Sequence, residues 1–281
     1  MLLRSVAIVL LFASETVYAQ FTSGVNLVEV YATVTDRSGE PVAGLTASDF
    51  TVVEDGVRQT ITAFGAGDVP LSIVVALDRS FSMAGERLAL AKRAAAAFIA
   101  ALRPSDEVTV LAIGSEIQTI TPAVPARDAA RTSWDAIDAW GTTPLYDVTQ
   151  RSIGLVQMGK GRRALLILSD GVDRDSETTA SQLLEHARRS DVIVYPVAIA
   201  RNRPEVFAEL AAATGGRSIW VSDPRQLEAS LASIARELRH QYLLGYAPPH
   251  GTEKGEVWRA IDVRVNRADV RVRARDGYYS R

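Results

Sequence analysis

The sequence predicts an α/β domain with a doubly wound, mostly parallel sheet flanked by helices, inserted into a discontinuous β-sandwich made from the two ends of the chain. Three observations point there. Residues 70–240 alternate short apolar runs with helical patterns, which implies a parallel sheet covered on both faces. The segments before and after instead alternate apolar and polar residues with period two, the mark of half-buried strands. Each of these outer segments, at roughly 45 residues, is too short to bury a core alone. Domain termini often lie close together, which permits such an insertion. The expected division is a signal peptide over 1–19, sandwich halves over 20–68 and 240–281, and the α/β unit over 69–239.

In chain order, Arg4 and the apolar run Val6–Ala13 form a short signal-peptide pattern, too short to span a bilayer. Val17-Tyr-Ala19 puts small residues at −3 and −1, so cleavage is expected before Gln20. Residues 25–36 place Val28, Val30, Ala32 and Val34 on one face of a strand, and Asp36–Gly39 is a turn signal. Residues 50–54 and 58–64 suggest a hairpin around Asp55-Gly56. Apolar strands are expected at 71–77, 107–113, 164–169, 191–199 and 217–221. Helices are expected at 84–102, 127–140, 145–157, 178–189, 204–213 and 224–239, the Ala-rich first one ending near Pro104. Trp134, Ile137 and Trp140 would share one face of the second, as a partner surface or, the favoured reading, as core packing. Beyond 240, strands are expected at 241–246, 257–265 and 270–273, their arginines marking a basic ligand-binding stripe or, the favoured reading, a solvated sheet face.

The 281 residues are 47% hydrophobic and 23% charged, as in an ordinary soluble protein. A net charge of −2 gives no electrostatic footprint for nucleic acid. There is no cysteine, which removes disulfides, thiolate metal sites and cysteine nucleophiles. His186, His240 and His250 lack metal-ligand spacing. No stretch after the signal pattern is long and apolar enough for a membrane helix. A periplasmic or secreted protein is expected.

Three segments carry hard-oxygen chemistry. Asp78, Ser80 and Ser82 follow the apolar run 71–77. Thr143 precedes a helix, and Asp170 ends a second apolar run. In open α/β sheets, ligands bind beyond the carboxyl ends of the strands, so these segments can converge. Two carboxylates and three hydroxyls suit Mg²⁺, with Mn²⁺ or Ca²⁺ possible. Each piece also has an ordinary reading: Ser80 or Ser82 as a helix cap, Thr143-Pro144 as a helix start, Asp170-Gly171 as a turn. Their joint order and strand context favour the metal.

This pattern resembles the metal-ion-dependent adhesion site of von Willebrand factor type A domains, over about 170 residues. Val42–Phe50, Val53–Val57, Gln241–Tyr246 and Val272–Tyr279 are also similar to segments of the VWFA-related acidobacterial subgroup. The resemblance implies a Rossmann-like sheet, with Ser80 and Ser82 as direct ligands and Asp78 acting directly or through water. It implies Thr143 as a ligand in a high-affinity arrangement, Asp170 acting through water, and a last position filled by a partner's Asp or Glu. Thr142 departs from the Gly common before the metal-site Thr, which bears on loop mobility.

A metal-dependent protein-interaction module of the adhesion type is therefore expected, not an enzyme. The alternatives are a structural subunit of an envelope complex with an unused metal site, and a hydrolase. Against the hydrolase, the chain has no G-x-S-x-G, and Ser80 stands where a haloacid-dehalogenase phosphatase needs a second Asp. Gly154–Gly161 approaches a P-loop but lacks its Ser/Thr and runs from helix to strand, the reverse of the required order.

Overall fold

A computed structural model describes residues 27–67, 69–248 and 256–280. The expected signal peptide and its cleavage before Gln20 lie outside the described residues. The chain begins with β1 (Val28–Asp36), β2 (Phe50–Glu54), β3 (Val57–Gln59) and β4 (Ile61–Ala66). The α/β part follows as β5 (Leu71–Asp78), α1 (Glu86–Ala101), β6 (Glu107–Ile113), β7 (Ile117–Pro125), α2 (Ala126–Ala129), α3 (Leu145–Gln157) and β8 (Arg162–Ser169). It continues through α4 (Ala180–Arg189), β9 (Val192–Ile199), α5 (Glu205–Thr214), β10 (Ile219–Val221) and α6 (Leu227–Arg239). The chain closes with β11 (Tyr242–Tyr246), β12 (Val257–Val265), β13 (Val270–Arg273) and β14 (Gly277–Ser280).

The central sheet has the order β10-β9-β8-β5-β6-β7, parallel except for β7. All of β5, Ser72 and Asp78 included, is buried, as a central strand covered on both faces requires. Ile73, Val75 and Leu77 face the α1 and α6 side with Phe98, Leu231 and Ile234. Val74 and Ala76 face the other side with Val148, Ile153 and Leu183, the side of α3, α4 and α5. The period-two side-chain alternation of one strand thus feeds two cores.

The outer segments form two antiparallel sheets, β13-β1-β11-β4 and β14-β12-β2-β3. Both mix strands from before and after the α/β unit: β11 lies between β1 and β4, and β12 between β14 and β2. Neither end of the chain can complete a sheet without the other. Val30, Ala32, Val34, Phe50, Val52, Leu244 and Tyr246 share their common core.

Three expectations need correction, and β7 has no counterpart among them. The helix expected at 127–140 stops at Ala129, and the chain then runs irregularly to Pro144. Trp134 and Ile137 are still buried, so the apolar spacing reported burial without helix, but Trp140 is exposed and does not join the core as expected. The hairpin around Asp55-Gly56 exists, but its return strand ends at Gln59, and β4 crosses to the other sheet. Asp55 and Gly56 both take positive φ, which suits a tight hairpin turn. Finally, β7 was not expected: its polar, two-proline sequence belongs to an antiparallel edge strand exposed along much of its length. The C-terminal arginines are also less solvated than expected. Arg264 and Arg271 are exposed, but Arg273 reaches Glu237 of α6 and Arg275 reaches Asp191 before β9.

Candidate functional site

The direction of strand addition reverses at β5, with β6 on one side and β8 on the other. Such a switch point leaves a crevice beyond the carboxyl ends of the strands, and the predicted residues gather there. Asp78 is the last residue of β5 and is 0% exposed. Its Oδ1 accepts the Ser80 amide at 2.8 Å and the Thr143 hydroxyl at 2.8 Å. Ser80 and Ser82 hydroxyls lie 3.0 Å apart. Neither serine caps α1, which starts at Glu86 behind Gly85, and Thr143 bonds to Asp78 instead of capping α3. Four of the five predicted residues therefore form one hydrogen-bonded group or its immediate rim.

Asp170 stands apart. It is buried at the end of β8, and its Oδ1 accepts the Val172 amide at 3.0 Å. Among the described residues it makes no hydrogen bond to the other four. The turn at Asp170-Gly171 is real, with φ +76° at Gly171. In its place Ser169 meets the cluster, donating to Asp78 Oδ2 at 2.6 Å. Sequence reasoning missed Ser169. The available signal was a hydroxyl ending an apolar strand next to Asp170, with β8 paired to β5 so that Leu168 sits opposite Leu77.

Burial pushes the Asp78 carboxyl above the usual carboxylate range, against the opposing pull of hydrogen bonds from Ser169, Ser80 and Thr143. Among the described residues no Lys, Arg or His pairs with it. A buried carboxylate ringed by hydroxyls and lacking a cationic partner fits a small divalent ion. No group of three or more His, Cys, Asp or Glu converges among the described residues, so an ion here would rely on hydroxyl oxygens. Such a donor set supplies little negative charge and leaves an ion electrophilic.

Above the cluster opens a cleft of about 190 Å³, lined by Ser80, Phe81, Ser82, Thr142, Thr143 and Arg174, among others. Its walls are tied together. The Phe81 amide donates to Gly141 O at 3.0 Å, Trp140 N to Arg79 O at 2.6 Å, and Arg174 N to Thr143 O at 3.0 Å. Ser115 Oγ accepts the Thr142 amide and donates to its carbonyl, both at 3.2 Å, so the residue that departs from the resembled motif sits in a braced loop. Asp147 of α3 accepts the Thr178 and Glu177 amides, which anchors the far end of the loop after β8. The P-loop-like Gly154–Gly161 lies at the opposite end of β8, where Ser72 bonds Lys160, and takes no part.

Residues 73–172 match the family model for the von Willebrand factor type A domain. The fold is similar to a von Willebrand factor type A protein from Catenulispora acidiphila, with a TM-score of 0.54 and 15% identity over 88% of this chain and 72% of that one. It is also similar to the ArnB paralog VWA2 from Sulfolobus acidocaldarius, with a TM-score of 0.52 and 15% identity over 88% and 73%. The PilB minor pilin from Streptococcus sanguinis matches at a TM-score of 0.51 and 11% identity over 62% of each chain. No curated protein matches the sequence.

Proposed function

Since the chain carries a von Willebrand factor type A domain, we propose that it is an exported interaction module that binds a protein partner's Asp or Glu through a divalent cation. Domains of this family commonly serve as protein-interaction modules. The observation that carries the reading is Asp78, buried without a counter-charge beneath an open cleft walled by hydroxyls. Asp78, Ser80, Ser82 and Thr143 would hold the ion, with Asp170 acting from behind through water. Mg²⁺ suits this oxygen set best, and Mn²⁺ can replace it. When bound, the ion supplies a positive centre for an incoming carboxylate.

Binding is favoured over catalysis because the cluster's hydroxyls bond to a carboxylate or to each other, with no histidine joined to them among the described residues. Export is supported by the N-terminal signal pattern. No helix among the described residues is long and apolar enough to cross a membrane.

The test is a Mg²⁺ titration by calorimetry on the full chain, with Asp78→Ala and Ser80→Ala beside it. Saturable binding is expected in the wild type, lost in the first variant and weakened in the second. A ligand present at a hundred times its Kd stabilises the fold by about 2.7 kcal/mol, so thermal melting gives a second readout. Equal Mg²⁺ affinity in wild type and Asp78→Ala would sink the proposal.

A further inference from the structure

Each loop that supplies the candidate ion site also carries one large apolar side chain held out in solvent. Phe81, between Ser80 and Ser82, is 64% exposed; Trp140, three residues before Thr143, is 46% exposed; Val172, two after Asp170, is 45% exposed. Elsewhere, exposed large hydrophobics such as Val57, Met158 and Trp220 lie on separate elements. Phe81 and Val172 line the cleft itself, and Trp140 directly precedes Gly141 of its wall; apolar side chains at a cleft mark a binding surface, whereas scattered ones are ordinary. Phe81 and Trp140 are also held in place. Backbone hydrogen bonds lock the Phe81 and Trp140 loops together, and the Arg79 guanidinium lies over the Trp140 ring at 5.3 Å. A rim fixed before binding loses little conformational entropy on contact.

A second cleft of about 330 Å³ adjoins the first through Val172, which lines both. Its charged walls are Arg87, Arg201, Arg203 and Asp170. Arg201 and Arg203 are exposed on the loop after β9 and form no ion pair among the described residues. Arg174 on the first cleft is likewise exposed and outside every ion pair described. The surface thus runs from a hydroxyl-walled cleft, past an apolar rim, to an arginine-lined groove. Its complement is acidic, then apolar, then acidic.

Resting on the metal-site reading above, we propose that the partner element is an exposed peptide segment of a protein. One carboxylate enters the cleft at Ser80, Ser82 and Thr143. An adjacent aliphatic or aromatic side chain packs on Phe81, Trp140 and Val172. A second acidic side chain further along meets Arg201 and Arg203. The apolar rim separates this occupant from a sulfated or carboxylated glycan, which would use the cation and the arginines and leave Phe81 without a complement.

The test uses a fluorescent octapeptide library with one fixed Asp and randomised flanks, bound to the full chain in Mg²⁺. Enrichment of Leu, Ile or Phe beside the Asp, and of Asp or Glu further along, is expected. Phe81→Ser should weaken the enriched peptides about tenfold or more, as an exposed aromatic anchor does, with Mg²⁺ affinity by calorimetry unchanged. Arg201→Glu with Arg203→Glu should erase the distal acidic preference alone. No enrichment beside the fixed Asp, or wild-type peptide affinity in Phe81→Ser, overturns the proposal even if Mg²⁺ binds. Tighter binding of a heparin-type oligosaccharide than of any peptide, unaffected by Phe81→Ser, overturns it in favour of a glycan. Loss of Mg²⁺ binding in the wild type instead removes the metal-site reading itself.

Discussion

Replacing Glu237 with Ala tests how the sandwich is fastened to the α/β unit. Glu237 is a buried residue of α6. Its carboxylate takes Arg217 at 3.1 Å, Arg273 of β13, the Tyr195 hydroxyl of β9 at 3.0 Å and the Thr33 hydroxyl of β1 at 3.4 Å. Gln241 joins the same group, its amide donating to Tyr195 at 2.9 Å and Thr33 at 3.1 Å. Burial and the facing Glu237 charge hold the Tyr195 hydroxyl well above its ordinary pKa, so it remains a donor at any working pH. Truncating one member of a buried ion pair costs about 3–5 kcal/mol, because the partner charge is left uncompensated. Here the arginine side chains keep 32% and 29% of their surface exposed, which lets water recover part of that loss. The expected cost is therefore about 3 kcal/mol, the low end of the range. Urea unfolding followed by both tryptophan fluorescence and far-ultraviolet circular dichroism measures it, with coincident transitions establishing two-state behaviour. Adding Arg273→Met to Glu237→Ala should cost less than the sum of the singles. A loss under about 1 kcal/mol, the value of an exposed pair, would refute the view that this cluster is a desolvated clasp.

Two further outcomes follow from packing and burial. Gly216→Ala should destabilise by about 3 kcal/mol, the upper end of overpacking costs, because the new Cβ overlaps the backbone carbonyl of Val194 rather than a movable side chain; a melting temperature equal to wild type would count against this. Burial lowers the His186 pKa, and its Nε2 is buried without a hydrogen-bond partner among the described residues. The unfolded chain therefore binds the proton more readily, so His186's contribution is complete above about pH 6.5 and is lost as pH falls toward the lowered folded value. His186→Gln should flatten that part of the stability curve, and identical wild-type and variant slopes between pH 5 and about 6.5 would contradict it.

The parallel sheet was legible because its strands are largely apolar runs: 107–113 is matched to the residue, and 71–77 extends by Asp78 alone. Helix 145–157 is likewise matched, its buried face of Leu145, Val148, Ser152 and Val156 spaced at three to four residues. What failed were signals that tertiary contacts override. Trp134 and Ile137 are buried from an irregular segment, which apolar spacing alone does not distinguish from helix. β7 carries edge-strand polarity, and Gln59 and Ile61 belong to different sheets although one residue separates them. At the site, the hydroxyl-carboxylate motif located Asp78, Ser80, Ser82 and Thr143. Ser169 was missed because its partner Asp78 lies 91 positions away, and only the placing of β8 beside β5 brings the two together. The C-terminal arginines misled for a related reason: alternation says which face a residue takes, and nothing about whether that face meets another part of the chain.

The two ends of the central sheet's strands do different work. The chain passes between sandwich and α/β unit at the end of the sheet where β5 begins and α6 ends, and there the Gly67 amide donates to Gln241 O at 3.1 Å. Gly67 has a φ of +74°, and a Cβ there would press on the Arg239 carbonyl, so the neck is closed to larger residues. The Glu237 cluster braces the same side, and Arg188 with Asp276 and Arg275 with Asp191 extend the seam along α4 and its end. None of the residues lining the two clefts comes from the sandwich strands. An inserted domain fixed at one end of its strands leaves the opposite end, where Asp78 and Ser169 close β5 and β8, clear of the sandwich strands. On the proposed function the sandwich would serve as a handle that orients the cleft, and stability and binding should then vary independently under mutation, as sites without shared partners do. Glu237→Ala should therefore lower stability while leaving Mg²⁺ affinity at 10 °C unchanged. A parallel fall in both would mean that the clasp and the cleft are coupled through β5, and that the sandwich does more than hold the domain.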